Sequence, residues 1–291
     1  MLTSAFRTNI GGSDNIENQD SFLTVGRRFC IADGHGREGR RIAELVCAAL
    51  CTSSEPPEAA FAAADAALRP LYDTSGSGTT ASVLDVLEDG TSCIAHVGDS
   101  EIRYFDTDHG DGVSLTADHS TMCLDEFHRV NALNIGTQFI FDLSPRYSPR
   151  NIFVQGISGD WILNPRGGFS YCTVRNDWSG YLTSPIGDRL AMTRALGDFH
   201  MKPFGVSAVP STSSLAPPTE GIRAIVMASD GLWDALHYSE VRAIVRDPAC
   251  MENASVAAER LMEVTMETGV RLFGATLDNI TVGVIYVRAI Q

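Results

Sequence analysis

Short apolar runs of strand character meet aspartate-containing strings at several points along the chain. RFCIA leads into DGHG at 33–36, AIVMA leads into SDGLWD at 229–234, and LDNITV at 277–282 opens a β-branched, alternating stretch. Alternation and short apolar runs are both typical of strands. TTASVLDVL and TSCIAHVGDSEIRYF flank Glu88, Asp89 and Gly90, and Asp-Gly is a strong hairpin signal. These runs constrain the chain to antiparallel β-structure with carboxylates at strand ends.

Other stretches have the apolar spacing of helices. Apolar residues recur at helical intervals over 37–51, and the alanine-rich stretch 56–71 is bracketed by prolines. A third helical stretch, 239–273, breaks near Asp247 and Pro248, and its second part has two candidate caps, Asn253 and Ser255. Helical pairs alternating with strands and a hairpin predict an α+β or layered α/β/α domain on antiparallel sheets.

Segment 120–190 differs from the rest. It is rich in Asn, Ser, Gly, Pro and aromatic residues, with strings such as PRYSPRN, NPRGG and NDWSG, and its periodicity is poor. A connection of this length is uncommon unless it is functional or mobile. We therefore expect a flap or insertion without a second core.

The composition excludes several classes of partner. The 22 Lys and Arg residues against 36 Asp and Glu give a formal net charge of −14, which disfavours nucleic acid and anionic membranes. No apolar run approaches the roughly 18 uncharged residues of a membrane span, and the N-terminal residues lack a signal-peptide apolar region. The seven cysteines are scattered without a CxxC pair, which predicts reduced thiols in the cytoplasm or nucleus.

The aspartate strings have two interpretations when each is taken alone. Carboxylates beside glycine, gathered from distant parts of a chain, are how hard divalent cations are usually bound. Asp230 and Asp234 lie four residues apart, and two carboxylates so close repel each other unless a cation lies between them. The simpler interpretation is that DGHG is a turn, Asp230 caps a helix, and Asp278 and Asp198 are turn residues.

The order of the motifs favours the first interpretation. ENQDSF, DGHG, SGTTA, HVGDS, LTADHS, LAMTRALGDF, ASDGLWDAL and DNITV follow one another along the chain. In this order and spacing the chain resembles the metal-dependent, type 2C serine/threonine protein phosphatases from about Glu17 to Val287, apart from segment 120–190. The resemblance implies one catalytic domain over 1–291 with a divergent flap at 120–190. It also implies an α+β fold, a four-layer α/β/β/α sandwich of two antiparallel sheets flanked by helices.

The resemblance further implies a two-ion site of Mg²⁺ or Mn²⁺. Asp33 resembles the carboxylate that bridges the two ions, and Gly34 would offer its carbonyl to one of them. Asp230 and Asp278 match the other direct ligands. The implied reaction is hydrolysis of phosphoserine and phosphothreonine in proteins by a metal-activated water, with no phosphoenzyme. The implied partners are phosphoprotein substrates, and the family's usual state is a monomer.

Four more residues match the family's motifs. Asp198 and Asp234 resemble ligands of a third, weaker ion that many members bind. His35 matches the general acid for the leaving alkoxide, and Asp20 matches a carboxylate that holds metal-bound water.

One departure bears on phosphate binding. The family usually has an arginine five residues before the aspartate that matches Asp20, and this chain has Asn15 there. Arginine binds phosphate bidentately, whereas asparagine brings no charge. The phosphate-binding residue is therefore unknown from the sequence. Arg7 is a weak candidate, and Arg37, Arg146 and Arg150 are others.

The departure keeps two other functions open. One is a weak or inactive pseudophosphatase that acts as a binding or regulatory module. The other is a metal hydrolase of small phosphate esters or nucleotides, although the chain has no GxxxxGK[ST] loop to hold a nucleotide. Retention of all the candidate metal carboxylates favours an active protein phosphatase, because an inactive site has no physical need for mutually repelling aspartates.

Overall fold

A computed structural model describes residues 2–106, 110–143, 148–167, 173–174 and 178–289. The helices are α1 Gly39–Thr52, α2 Pro57–Tyr72, α3 Leu124–Asn131, α4 Asp230–Trp233, α5 Tyr238–Val245, α6 Pro248–Glu252 and α7 Ala254–Phe273. The strands are β1 Leu2–Asn9, β2 Asp20–Val25, β3 Arg28–His35, β4 Gly78–Thr79, β5 Ala81–Val86, β6 Ser92–Val97, β7 Glu101–Phe105, β8 Val113–Ser114, β9 Gln138–Phe141, β10 Phe153–Gln155, β11 Trp161–Leu163, β12 Gly180–Thr183, β13 Arg189–Leu190, β14 Leu196–Gly197, β15 Ser211–Leu215, β16 Ile222–Ala228 and β17 Ile280–Arg288.

Two antiparallel sheets form the centre of the fold. The first has the strand order β1-β17-β16-β7-β8, and the second has the order β14-β4-β3-β5-β6-β15 with β2 paired to β3. The named strands of both sheets pair antiparallel. The hairpin expected across Asp89 and Gly90 is β5–β6, in which Leu84 lies opposite Ile94. That prediction is confirmed.

Apolar side chains fill three interfaces between four layers. Successive side chains of a strand point to opposite faces, so Ile31 and Ile225 pack between the two sheets. Their neighbours face outward. Cys30 packs in a core with residues of α1 and α2, and Val226 packs in a separate core with residues of α4 to α7. Because both faces of these strands are covered, their central residues are apolar on both faces. The four-layer α/β/β/α fold is confirmed.

Most predicted boundaries hold to within a few residues. Asn253 is the cap of α7, since its side-chain oxygen accepts a hydrogen bond from the Ser255 backbone N–H at 2.9 Å. The stretch predicted as one strand over 91–105 divides into β6 and β7, which belong to different sheets. No helix in the described ranges has both the length and the apolar character needed to span a bilayer.

Segment 120–190 has a core of its own, so that expectation was wrong. A three-stranded sheet, β13-β12-β9, and the hairpin β10–β11 lie beside α3. Their buried apolar residues are Phe127, Val130, Phe139, Phe141, Ile152, Phe153, Leu182 and Leu190, packed with Met192, Ala195, Met201 and Val206. These strands are two to four residues long, which is too short for an alternating pattern to stand out in the sequence.

Candidate metal centre

The ends of β2 and β3 bring two aspartates together. Asp20 lies directly opposite Asp33 in the antiparallel register. The Asp33 backbone is held on its other side, where its N–H donates to Thr80 Oγ1 at 3.0 Å and its carbonyl accepts from Thr79 Oγ1 at 2.9 Å. Strand β3 continues through His35, so the DGHG string begins inside a strand and not in a turn. The backbone of Asp33 is therefore rigid, and its carboxylate is placed by the strand.

Gly34 is required by the close approach of two backbones. A Cβ at this position would lie 2.3 Å from the Gly39 carbonyl oxygen and 2.8 Å from that of Gln19. The Gly34 N–H donates to the same Gln19 oxygen at 3.2 Å. Only glycine lets the start of α1 and the end of β2 close on β3 at this point.

The SDGLWD string forms the single turn α4 against the start of β17. Ser229 Oγ accepts from the Thr281 backbone N–H at 2.9 Å and donates to Asp20 Oδ2 at 2.7 Å. Leu232 and Trp233 are buried. The carboxylates of α4 are thereby tied to the end of β2 through a buried hydroxyl.

The DNITV string closes the other side. The Asn279 side chain accepts from the Gln19 backbone N–H at 2.7 Å and donates to the Ile10 carbonyl at 2.7 Å. Asp278 is exposed at the rim, and its Oδ1 accepts the Asn279 backbone N–H at 2.7 Å. Asn279 therefore holds the loop between β1 and β2 against the strand that follows Asp278.

His35 and Asp198 form a hydrogen-bonded pair, with 2.7 Å between His35 Nε2 and Asp198 Oδ2. Asp198 is fully buried and has a positive φ of 45°, a conformation that costs a non-glycine residue about 1–3 kcal/mol. Burial lowers the pKa of His35, but the charge and hydrogen bond of Asp198 outweigh it, so the net pKa is raised. The pair therefore favours a protonated imidazole.

The only lysine of the chain holds the loop that carries Asp198. Lys202 Nζ lies 3.3 Å from Asp65 Oδ1 of α2 and donates to the Ala195 carbonyl at 2.6 Å. Asp65 Oδ1 also accepts the Gly197 backbone N–H at 2.8 Å. Sequence reasoning missed this pair, because only the tertiary structure brings Asp65 to Lys202.

Burial and mutual repulsion mark the carboxylates as one cluster. Burial raises the pKa of Asp33 well above its usual range, and the charges of Asp20, Asp230, Asp278 and Asp99 add to the effect. Burial likewise raises the pKa of Asp230, reinforced by Asp278 and by three other aspartates that include Asp234. Burial raises the pKa of Asp20 from 3.8 to about 6, against the lowering effect of the hydrogen bond from Ser229. Asp198 is connected to this cluster through its hydrogen bond with His35.

The family model of protein phosphatase 2C matches residues 46–140 and 172–271. The chain belongs to the protein phosphatase 2C family. A "protein kinase and PP2C-like domain-containing protein" of Arabidopsis thaliana is 28% identical over 282 residues, which cover 90% of this chain and 35% of that protein. The chain spans between 14% and 56% of the length of three such curated relatives.

Solved structures of the family share the fold. The serine-threonine phosphatase 2C of Toxoplasma gondii superposes with a TM-score of 0.67 at 20% identity, covering 99% of this chain and 95% of that one. The catalytic domain of the phosphatase PstP, solved with two manganese ions, superposes with a TM-score of 0.58 at 19% identity, covering 98% of each chain.

The donor set of this protein phosphatase 2C site suits a hard divalent cation. The Oδ1 atoms of Asp20, Asp198 and Asp230 are buried and have no hydrogen-bond partner among the described residues. Carboxylate oxygens are the preferred ligands of Mg²⁺ and Mn²⁺. Within the described ranges, no three His, Cys, Asp or Glu side chains stand in the geometry of an assembled metal site. The fit therefore rests on the unpaired oxygens and their chemistry.

Asp99 belongs to the cluster and was not among the predicted site residues. It contributes to the raised pKa values of both Asp33 and Asp230. The adjacent Ser100 hydroxyl lies 2.6 Å from Thr80 Oγ1, which fixes the end of β6 against the backbone of Asp33. Asp99 lies in the HVGDS string, which was among the motifs of the family resemblance. The sequence therefore held a signal that could have identified Asp99.

Asn15 acts as a structural residue here. Its side-chain amide donates to the carbonyls of Ile10 and Leu277 at 2.6 and 2.9 Å, which fixes the loop between β1 and β2. The Arg7 guanidinium lies against α7, where it donates to Ser255 Oγ at 2.6 Å and lies 3.6 Å from Glu259.

The other candidate arginines differ in how they are engaged. Arg150 donates to two carbonyls of segment 120–190. Arg37 is 91% exposed and comes directly after the DGHG string. Arg146 lies outside the described residues.

Proposed function

We propose that this chain hydrolyses phosphoserine and phosphothreonine in proteins with the help of Mg²⁺ or Mn²⁺. The observation that carries the proposal is the carboxylate cluster around the half-buried Asp33 and Asp230, in which burial and the charges of neighbouring aspartates raise the pKa of both residues. Such a cluster destabilises a fold that has no cation to compensate it. Membership of the protein phosphatase 2C family supports the same conclusion.

We assign the metal-binding roles as follows. Asp33, Asp230, Asp278 and the Gly34 carbonyl would hold two ions, and the manganese pair named for the related PstP domain supports that number. Bound divalent cations supply a water nucleophile near neutral pH and offset the charge of the phosphoryl oxygens. Asp198 and Asp234 would hold a third ion, and Asp20 would orient water at the first two.

His35 would act as the general acid. Its imidazole is half-buried beside the cluster, and Asp198 favours its protonated form through the hydrogen bond to Nε2. A protonated imidazole near neutral pH can give its proton to the departing serine or threonine oxygen, and this kind of transfer contributes typically a hundredfold or more to the rate.

Activity assays test the proposal directly. We expect p-nitrophenyl phosphate and a phosphothreonine peptide to be hydrolysed with Mn²⁺ and to be stable in EDTA. Asp230→Asn should abolish turnover of both substrates. The matched control is Asp73→Asn on the exposed end of α2, which should leave turnover unchanged. Turnover that resists EDTA would contradict the metal-dependent reaction, and a preference for small esters over every phosphopeptide would contradict the protein substrate.

One observation favours the second candidate function, a pseudophosphatase. The position that carries the family's usual arginine is Asn15, and its amide is committed to backbone carbonyls. If a productive position of the phosphoryl group depends on that arginine, the protein will still hold Mn²⁺ and dock a phosphopeptide through its other contacts, but without turnover. Calorimetric phosphopeptide binding without product release would establish that alternative.

The remaining expectations are proposals of the same kind. The six cysteines within the described residues are free thiols, which supports a reducing cytoplasmic or nuclear location. The formal net charge of −14 argues against nucleic acid and anionic membranes as partners, and the proposed activity implies phosphoprotein substrates. We expect a monomer, which sedimentation of the purified chain would test.

A further inference from the structure

A groove lined by three arginines and three glutamates opens beside the candidate metal centre. It has a volume of about 510 Å³ and is lined by Glu17, Arg37, Glu38, Arg40, Arg41 and Glu44. Arg37 follows His35 by two residues, and the other arginines belong to the first turn of α1. Gln19 Nε2 donates to the Gly36 carbonyl at 2.5 Å, which ties the edge of the groove to the residue that precedes Asp20.

The arginines of the groove are free to change partners. Arg40 lies 3.1 Å from Glu44, and Arg37 lies 3.9 Å from Glu38, with all four side chains more than a third exposed. Exposed pairs of this kind contribute only about 0–1 kcal/mol. Arg41 is exposed and has no hydrogen bond or ion pair with any other residue that the structure describes. An incoming anion therefore displaces little.

The fold itself gains little stability from these charges. Cations near the start of a helix oppose its dipole, and the N-terminal residue of α1 has no side-chain cap. The chain elsewhere is strongly acidic, with a formal net charge of −14. Three arginines lie at one edge of the carboxylate site, although their charges oppose the dipole of α1 and the chain as a whole is acidic. Their concentration there points to a ligand.

The size of the groove indicates which ligand. A single phosphate is bound by one bidentate guanidinium, whereas three arginines spread over five positions match several separate carboxylates. An extended peptide advances about 3.3 Å per residue. At most about 7 Å of chain separates His35 from Arg37, and the rise of about 1.5 Å per helical residue adds about 6 Å as far as Arg41. The groove would therefore contact side chains within about four residues of the phosphorylated one.

We infer that the groove selects phosphopeptide substrates with Asp or Glu side chains flanking the phosphorylated residue. This inference rests on the proposed phosphatase function and adds its substrate class. Arg37, Arg40 and Arg41 are specificity residues that contact the flanking carboxylates, while the phosphoryl group reacts at the metal centre.

The test compares matched phosphothreonine peptides and p-nitrophenyl phosphate. The peptides carry acidic, neutral or basic residues within four positions, on the N-terminal or the C-terminal side. We expect a higher kcat/KM for the acidic peptide, by about two- to fivefold per contacting arginine, with the preference weakening between about 0.05 and 0.5 M salt. The triple variant R37A/R40A/R41A should lose the preference. The double variant R40A/R41A, which keeps the phosphate-binding candidate Arg37, should weaken the preference and keep its p-nitrophenyl phosphate turnover.

A charge-reversal variant, Arg41→Glu, tests the groove directly, and Arg271→Glu is its matched control. Arg271 is exposed on α7 in the opposite outer layer, so its reversal changes the net charge equally without touching the groove. Only Arg41→Glu should disfavour the acidic peptide. Equal kcat/KM values for all peptides in the wild type would overturn the inference, as would parallel losses on every substrate in the double variant R40A/R41A.

Binding separates this inference from the proposed activity. Fluorescence anisotropy of labelled peptides with the full chain and Mn²⁺ reports affinity without turnover. Absence of turnover on every substrate would contradict the phosphatase proposal alone, provided that the acidic peptide still binds more tightly and loses that advantage in the triple variant. Equal affinity for acidic and neutral peptides would refute the groove inference, whatever the activity.

Discussion

Asp20→Asn should stabilise the protein in EDTA while weakening its response to metal. Asp20 is buried, and its pKa is raised from 3.8 to about 6, mainly by burial. Ionising such a group in the fold costs about 1.4 kcal/mol for each pH unit of displacement, or about 3 kcal/mol above pH 7. Asparagine is nearly isosteric and neutral, and its side-chain oxygen can still accept the hydrogen bond from Ser229 Oγ. The variant should therefore gain about 3 kcal/mol in its free energy of unfolding.

The dependence on pH gives this prediction a distinct signature. Because the folded pKa is above the unfolded one, the wild type has the full benefit of a protonated Asp20 below about pH 4. It loses that benefit as the pH rises through 6. The advantage of Asp20→Asn should therefore be complete above pH 7, fall to roughly half at pH 5, and vanish below pH 4.

Urea denaturation in EDTA between pH 5 and 8 measures the effect, with the exposed Asp73→Asn as the control. When the same titrations are repeated with Mn²⁺, the metal should raise the free energy of unfolding of the wild type more than that of Asp20→Asn. Two results would refute the reasoning. One is a variant less stable than the wild type at pH 7.5 in EDTA, and the other is a difference that does not change between pH 5 and 8.

Three further predictions concern the surroundings of the site. Gly231→Ala would place a Cβ 2.1 Å from the Asn279 carbonyl oxygen and should lower the free energy of unfolding by about 1–3 kcal/mol. Unchanged stability in urea would contradict that close approach. Burial lowers the pKa of His96 to about 4 and that of His119 to about 3, so each imidazole is neutral in the fold but protonated in the unfolded chain below about pH 6.5. Stability should therefore fall as the pH drops from 6.5, and His119→Gln should reduce that slope by about 1.4 kcal/mol per pH unit; an unaltered slope would count against it. Lys202→Met should raise the Mn²⁺ concentration for half-maximal activity several-fold by releasing the Asp198 loop from Asp65, and an unchanged metal titration would exclude that role.

Local sequence signals located most of the regular structure. Asp89 and Gly90 specified the β5–β6 hairpin, and Asn253 capped α7, because turn and cap preferences depend on the conformation of a few consecutive residues. The strings DGHG, RALGD, SDGLWD and LDNITV likewise lie close to one another in the fold. Their proximity could be inferred from the family's motif order, since no string alone distinguishes a ligand from a turn.

Other features escaped prediction because they depend on contacts between distant residues. The strands of segment 120–190 are too short to show a period, and their core forms only when Phe127 meets Phe139 and Phe153. The predicted strand over 91–105 crosses between two sheets after Val97, which no local pattern indicates.

The sequence by itself determined the alternation of strands and helices, the acidic composition and the positions of the candidate carboxylates along the chain. It did so because those properties follow from residue type and spacing. The tertiary structure alone decided which groups meet. It added Asp99 to the cluster, tied Asp198 to His35 and committed Asn15 to the backbone. The physical reason is that burial and the pairing of charges depend on the distance between residues that lie far apart in the chain.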